Sequence, residues 1–428
     1  MPSRRHFLGA SVVTAAGFTL GARRAPALAP ACDELPPAIR ALRSMKNQAT
    51  PITPDERRSR MEKARSLMRE HGIDALLLNG GTSMEYFTGM KWGLSERMLA
   101  AVIPVNGSAF LVTPKFEQER AMEQAHRGPL GRDADVYAWE EDENPWALIA
   151  SGLKARGLAT ATVGVEETVR FVFADGTAHL PGVSVVSGTV VTAGCRMVKD
   201  AHEIALMRLA AQVTWKAYEA AWKSLKEGMT QDDFAHLVSA AHAQLGFEGG
   251  AGVQVGKFSA LPHGSETPQV IREGSILLID GGCRVEGYTS DLSRTFVLGQ
   301  PTQKMKDVFE IEHDAQTTAV RTARPGLACE AVDAAARKVI VDAGYGPDYK
   351  FFLHRVGHGM GMDGHEWPYL VRGNKLPLQP GMVFSDEPGI YIHDEFGIRL
   401  EDDMHITEHG AELFTPQSPS LERPFAST

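Results

Sequence analysis

The sequence is short of cysteine, has no surplus of basic charge and lacks long apolar runs, and each shortage excludes a class of protein. Its 428 residues hold four cysteines, Cys32, Cys195, Cys283 and Cys329, far apart and without a C-x-x-C spacing. Neither a zinc ribbon nor a small disulfide-stapled scaffold is built that way. Lys and Arg number 44 against 53 Asp and Glu, a net charge of −9. A non-specific nucleic-acid binder needs a basic face to neutralise phosphates, so that class is set aside. No stretch reaches the roughly 18 consecutive apolar residues of a membrane span, so none is expected. Short-period repeats and low-complexity tracts are missing as well. What is present, 43% hydrophobic and 23% charged residues, is ordinary globular composition. The chain is long enough for two domains whose cores come from apolar burial.

The first residues read as an address. Arg4 and Arg5 precede Phe7 and Leu8, a weakly apolar stretch runs from Gly9 to Leu20 without an acid, and A-x-A sites follow at Ala27 to Ala29 or Ala29 to Ala31. This order resembles a twin-arginine export signal over residues 1–29 and predicts a periplasmic or secreted protein. A disordered basic tail on a cytoplasmic protein is the plainer alternative. Cleavage would remove four arginines and no acid, leaving 40 basic against 53 acidic residues, a net −13. Cys32 just beyond the site fits lipidation poorly.

Residues 30–52 are proline-rich and aperiodic, as in a linker or N-terminal arm. Thr53, Pro54 and Glu56 then have capping-box spacing, Met61, Ala64, Leu67 and Met68 share a face, and Gly72 supplies a stop, so a helix is predicted. Ile73 to Leu78 reads as a buried strand. Ala100 to Val105 and Ala109 to Val112 flank Asn106-Gly107, a strong hairpin signal. Further strand-like runs near Val163 and Val183 to Val186 complete an α/β domain over residues 53–196. From 197 to 428 a second domain is expected. Asp200 and Glu203 repeat the capping pattern ahead of a helix from Ala201 to about Glu227, and Thr230 caps another. Strands follow at Ser275 to Asp280 and Ser293 to Leu298.

Chemistry concentrates in this second half. Its motifs are LPHGSE around His263, LLIDGG with Asp280, YTSDLSRTF with Asp291, HRVGHGMGMDGHE with His354, His358 and His365, SDEPGIYI with Glu387, and GIRLEDD with Glu401. An acid at the end of the apolar run Ile276 to Ile279 is costly without a partner. A Gly-rich connection could turn the chain back antiparallel and set Asp291 beside Asp280, where two carboxylates repel unless a cation separates them. Taken alone, Asp280 could be a turn residue, and each histidine could satisfy a local hydrogen bond. Four carboxylates and one imidazole together suit two divalent transition metals, with oxygen-rich ligation favouring manganese, iron, cobalt or zinc over copper. Gly281-Gly282 lacks the remainder of a nucleotide loop, and Cys283 reads as a small buried residue.

These motifs resemble the pita-bread metallopeptidases, in particular the proline-specific branch of Xaa-Pro dipeptidase (prolidase) and Xaa-Pro aminopeptidase. The resemblance is strong over residues 197–415; over 53–196 it rests on size and texture. It implies an α+β fold, a creatinase-like N-terminal α/β domain followed by a pita-bread (methionine aminopeptidase-like) catalytic domain. It places Asp280, Asp291, His358, Glu387 and Glu401 at the five metal-ligand positions, for two ions, manganese foremost, with cobalt, zinc or iron as alternatives. It also assigns His263, His354 and His365 to active-site positions, where neutral imidazoles could stabilise an oxyanion, and Glu387 to proton shuttling. Arg399 is expected to hold Glu401. Arg372 could grip a substrate carboxylate or be a solvated loop residue, and Tyr391 could line the site or simply pack. Asp386 departs from the small or β-branched residue usual before the glutamate. The implied activity is hydrolysis of Xaa-Pro dipeptides or peptide N-termini by a metal-bridging hydroxide, in a two-fold homodimer. A hydrolase or lyase of the same scaffold acting on a non-peptide substrate, or a non-catalytic peptide-binding protein, fits the same residues.

Overall fold

The computed structural model describes residues 35–425; the expected signal, its cleavage sites and Cys32 lie outside the described residues. The N-terminal part holds α1 (Pro37–Arg40), α2 (Pro54–His71), β1 (Ala75–Asn79), α3 (Thr82–Thr88), β2 (Ala100–Pro104), β3 (Phe110–Pro114), α4 (Gln118–Arg127), β4 (Asp135–Trp139), α5 (Pro145–Lys154), β5 (Ala161–Val165), α6 (Phe171–Ala178), β6 (Val183–Ser187) and α7 (Thr189–Arg196). Helix α2 starts at the Thr53–Glu56 capping box and ends at Gly72, whose φ of 64° suits the left-handed cap. The six strands form one mixed sheet in the order β4-β3-β2-β1-β5-β6. Its β2–β3 hairpin turns at Asn106-Gly107 as expected. Leu76 and Leu78 face α2, while Ala75 and Leu77 face Ile149, Leu153 and Phe173 on the other side. Burial on both faces explains why β1 reads as an unbroken apolar run.

The second part holds α8 (Ala201–Trp222), α9 (Gln231–Leu245), β7 (Gly252–Val255), β8 (Ile276–Gly281), β9 (Arg284–Val285), β10 (Tyr288–Thr289), β11 (Leu292–Val297), α10 (Gln303–Thr322), α11 (Cys329–Asp342), β12 (Gly357–Gly359), β13 (Glu366–Leu370), β14 (Val383–Asp386), β15 (Gly389–Ile392), β16 (Phe396–Arg399), β17 (Asp402–Ile406) and β18 (Ala411–Leu413). Helices α8 and α9 cover a sheet ordered β11-β8-β7, and α10 and α11 cover one ordered β13-β12-β14-β17-β18. Among the described residues, a single bridge between Ser293 and Glu401 joins the two sheets. Helix α8 stops at Trp222, short of the expected Glu227. The Ser224 hydroxyl donates to the Ala220 carbonyl at 2.8 Å, and the Ser224 amide turns to Ala221, which closes the last turn.

The two parts share one apolar core. Met61, Leu76, Met84 and Tyr86 pack with Leu206, Met207, Cys283 and Tyr288. Residues 35–52 lie against the second part, with Ile39 fully buried and the Met45 amide donating to the Leu245 carbonyl. Polar contacts accompany the core, among them Arg60, which meets Glu203 at 3.3 Å and Tyr288 Oη at 2.8 Å, and His202, whose Nδ1 meets Glu56 at 2.6 Å. Burial opposes charge on both Glu56 and His202. Even so, hydrogen bonds from Thr53 and His202 lower the Glu56 carboxyl to about 2, and the bond to Glu56 raises His202 above its ordinary value. Glu56 therefore stabilises the fold above its ordinary value of 4.5 and loses that contribution as pH falls toward 2. His202 contributes fully below its ordinary 6.5 and loses its share as pH rises through the elevated folded value. His202→Ala should cost about 0.5–1 kcal/mol between those limits. Denaturant titrations in mildly acidic and in alkaline buffer check this; a deficit that persists undiminished in alkali would contradict it.

Candidate metal centre

Strand register assembles the site. β8 and β11 run antiparallel with Asp280 opposite Ser293, and Asp291 stands just ahead of β11. His358 lies on β12, Glu387 follows β14, and Glu401 sits between β16 and β17. The donor atoms form three overlapping sets, each within 4.8 Å: Asp280, Asp291 and Glu401; His358, Glu387 and Glu401; Asp291, His358 and His365. His358 Nε2 is 3.3 Å from Glu387 and 3.8 Å from Asp291. All five expected ligands therefore converge, across 122 residues of chain.

The donor set fits a cation cluster. Burial pushes Asp291 well above the ordinary carboxylate range, with Asp280 and Glu387 adding to it. Burial likewise raises Glu401, helped by Asp291, and raises Glu387 to about 7 despite Arg399. Such crowding is relieved by added positive charge at the centre. Burial lowers His358 to about 3, with His365 second, so its imidazole is neutral. The Gly359 carbonyl lies 3.2 Å from its Nδ1 and assigns the proton there, leaving the Nε2 lone pair turned to the carboxylates. A neutral nitrogen and several anionic oxygens on one cavity wall are donors for divalent transition ions.

Arg399 ties this cluster together. Its Nη2 pairs with Asp280 at 2.6 Å, its Nε donates to Ser293 Oγ at 2.9 Å, and its Nη1 donates to Tyr391 Oη at 3.0 Å. Glu401 is 3.9 Å away and is reached through Ser293, whose hydroxyl is 2.6 Å from it. The arginine thus holds Asp280 directly, whereas the sequence pointed to Glu401. The sequence offered one sign of Ser293, its place two residues past Asp291 on a strand paired with the Asp280 strand.

The cavity in front has a volume of about 410 Å³ and is lined by His263, His354, Arg355, His358, His365 and Arg399 with the carboxylates. That size suits a small ligand. His365 stacks on His358 with ring centres 3.6 Å apart. His263 and His365 are exposed to the cavity. His354 is not free in the same way. Its Nδ1 faces the Arg355 carbonyl at 2.8 Å and its Nε2 faces Tyr391 Oη at 2.7 Å. With both nitrogens engaged in this way it braces Tyr391 while lining the cavity. Burial, then Arg399, lower it to about 4. Tyr391 is buried between His354 and Arg399, one layer behind the cavity. Arg372 is elsewhere, exposed and paired with Asp348 at 2.8 Å beside a larger, carboxylate-and-lysine-lined groove of about 740 Å³ along α11. Arg355, unmarked by sequence reasoning, is the cavity's other guanidinium. It lies 4.3 Å from the centre of the Tyr369 ring and has no carboxylate partner among the described residues. Cys283 is buried, its thiol pushed up to about 11.

Behind the site, Asp386 is fully buried, faces Asp402 across the β14–β17 pair, and has no hydrogen-bond partner for either oxygen. Burial, then Asp402 and Glu387, hold its carboxyl well above the ordinary range, so it keeps its proton on folding. The resulting penalty grows as pH rises above the ordinary carboxylate value. Asp386→Val should therefore stabilise the protein, by about 1–3 kcal/mol near neutrality and less in acid. Thermal melts across that range check it, and a lower melting temperature for the variant at neutral pH would count against it.

Two family profiles match the chain: metallopeptidase family M24 over residues 205–408 and the creatinase/prolidase N-terminal domain over 60–198. An Xaa-Pro dipeptidase of Lactobacillus delbrueckii subsp. lactis is 32% identical, covering 85% of this chain and 98% of that protein. A probable dipeptidase PepE of Mycobacterium tuberculosis is 34% identical, covering 82% and 92%. Among solved structures, dipeptidase PepE from Mycobacterium ulcerans superposes with a TM-score of 0.81 at 31% identity, covering 87% of this chain and 99% of that one. A prolidase from Thermococcus sibiricus gives 0.76 at 30%, covering 84% and 96%.

Proposed function

This chain belongs to metallopeptidase family M24, with a creatinase-type domain ahead of a pita-bread catalytic domain, and on that premise we propose that it is an Xaa-Pro dipeptidase. The observation that carries the reading is the convergence of Asp280, Asp291, His358, Glu387 and Glu401 on a cavity that also presents Arg355. Two divalent cations held by those five side chains, manganese first and cobalt, zinc or iron next, would polarise the peptide carbonyl and ease deprotonation of the attacking water. The chain's own groups supply the rest. Glu387, steadied by the Ser385 hydroxyl at 3.2 Å, takes the proton from water and passes it to the proline nitrogen as the C–N bond breaks. His263 and His365 donate to the carbonyl oxygen as its charge grows. The Arg355 guanidinium pairs with the carboxylate of the C-terminal proline, which favours a dipeptide over a longer chain.

Turnover of Ala-Pro, Ala-Ala and Gly-Pro-Xaa by metal-loaded protein tests this. Ala-Pro should exceed Ala-Ala by about 100-fold or more in kcat/KM, with the tripeptide also behind. Equal rates on Ala-Pro and Ala-Ala would overturn proline specificity, a faster tripeptide would make the enzyme an aminopeptidase, and silence from fully loaded protein would leave a binding protein or another substrate. Export by the twin-arginine route belongs to the same proposal, on the strength of Arg4 and Arg5. Retention of an Arg4→Lys/Arg5→Lys variant in the cytoplasm would support it. The assembly we expect is a homodimer, measurable by sedimentation.

A further inference from the structure

We propose that a cavity of the N-terminal domain, between the start of α2 and helix α4, binds a small phosphate-bearing dianion. Its volume is about 490 Å³, and its wall carries Arg57, Lys91, Arg120 and Arg127 with no carboxylate among the described residues. In a chain whose net charge is −9, four cations on one concave wall run against the general balance, and their mutual repulsion is relieved by an anion.

The three guanidiniums are held by contacts that leave their charge intact. Arg57 donates to the Glu85 and Tyr86 carbonyls, the latter at 3.1 Å. Arg120 lies over the Trp92 ring at 4.4 Å from its centre. Arg127 donates from Nε to the Glu123 carbonyl at 3.2 Å. None of the three forms an ion pair among the described residues; Lys91, the fourth cation, pairs with Glu85 at 3.4 Å. Gly89 ends α3 in the left-handed region at φ 75°, and a Cβ there would stand 3.1 Å from Arg57 Nε and press on the guanidinium. Burial, then the charge of Arg60 one turn along, lower Arg57 below its ordinary value, with Glu85 and Glu56 opposing the shift. Planar forks that remain hydrogen-bond donors on their outer edges match phosphate oxygens bidentately, which a lysine patch does not. Several such forks around one cavity suit the tetrahedral oxygens of phosphate better than a planar carboxylate. The site stands apart from the metal centre, so the inference holds whatever the substrate proves to be.

The test is calorimetric titration of the full metal-loaded chain, at low ionic strength, with inorganic phosphate and glycerol 3-phosphate, and with succinate as a dicarboxylate of similar charge. Both phosphates should bind saturably to the wild type and about tenfold or more weakly to Arg120→Gln/Arg127→Gln. Metal content and melting temperature of the ligand-free proteins should stay the same. Lys91→Gln, in a loop, gives an independent weakening if the helical double variant is disturbed. Absence of saturation, or equal phosphate affinity in wild type and variants, overturns the site. Succinate binding as tightly as phosphate overturns the phosphate assignment.

Discussion

Asp291→Asn will lose on the order of 10³-fold or more in turnover while its metal-free form melts higher than the metal-free wild type. The loss follows from the donor sets, since Asp291 belongs to two of the three and its removal breaks both. A metal cluster contributes several kcal/mol to the transition state, and each 1.36 kcal/mol is a factor of ten. The gain in stability follows from the same crowding. Burial and the neighbouring Asp280 and Glu387 hold the Asp291 carboxyl well above its ordinary value. Without cations its ionised form opposes folding, and a neutral amide of the same shape removes that opposition. Opposite signs for activity and stability separate this outcome from misfolding. Metal analysis and paired melts with and without chelator decide it; a variant that keeps two ions and acts within tenfold of wild type would remove Asp291 from the centre.

The second large effect is expected from Arg399→Lys, about 10- to 100-fold in metal affinity or kcat. The guanidinium spans Asp280, Ser293, Tyr391 and the Pro262 carbonyl at 2.6 to 3.2 Å. Burial disfavours its charge, but Tyr391, Asp280 and the glutamates more than compensate and keep it protonated. A lysine keeps the charge and loses the fork, so it can meet Asp280 or Ser293 but not the whole set. Metal titrations should show weaker binding with part of kcat recovered at excess ion. If lysine performs within a factor of two, charge alone suffices and the fork has no role.

Much of the fold can be read from short-range chemistry. The capping boxes at Thr53, Asp200 and Thr230 all form, because each needs only residues three apart. The Asn106-Gly107 hairpin and the antiparallel return from Asp280 to Asp291 are local too. The five candidate ligands were legible because a family pattern preserves their order, whereas their mutual distances depend on strand register. What escaped was lateral. The pairing of Arg399 with Asp280 depends on which strand lies beside which, and the place of Ser293 two residues past Asp291 was the one sign of it in the sequence. Arg355 lies in the irregular segment ahead of β12. Arg372 looked suitable by residue type, yet its loop turns it toward Asp348 and solvent. Helix α8 ended early because a serine hydroxyl competes for the backbone, a weak signal beside the stronger Gly228.

The apolar core that runs from Met61 and Leu76 into Leu206 and Tyr288, with the Arg60–Glu203 pair inside it, bears on how the molecule comes apart. Excising residues 35–196 would lay bare an oily face and strand Glu203 without its counter-charge. A truncated catalytic half should therefore aggregate rather than persist alone, and the intact chain should melt in one concerted step.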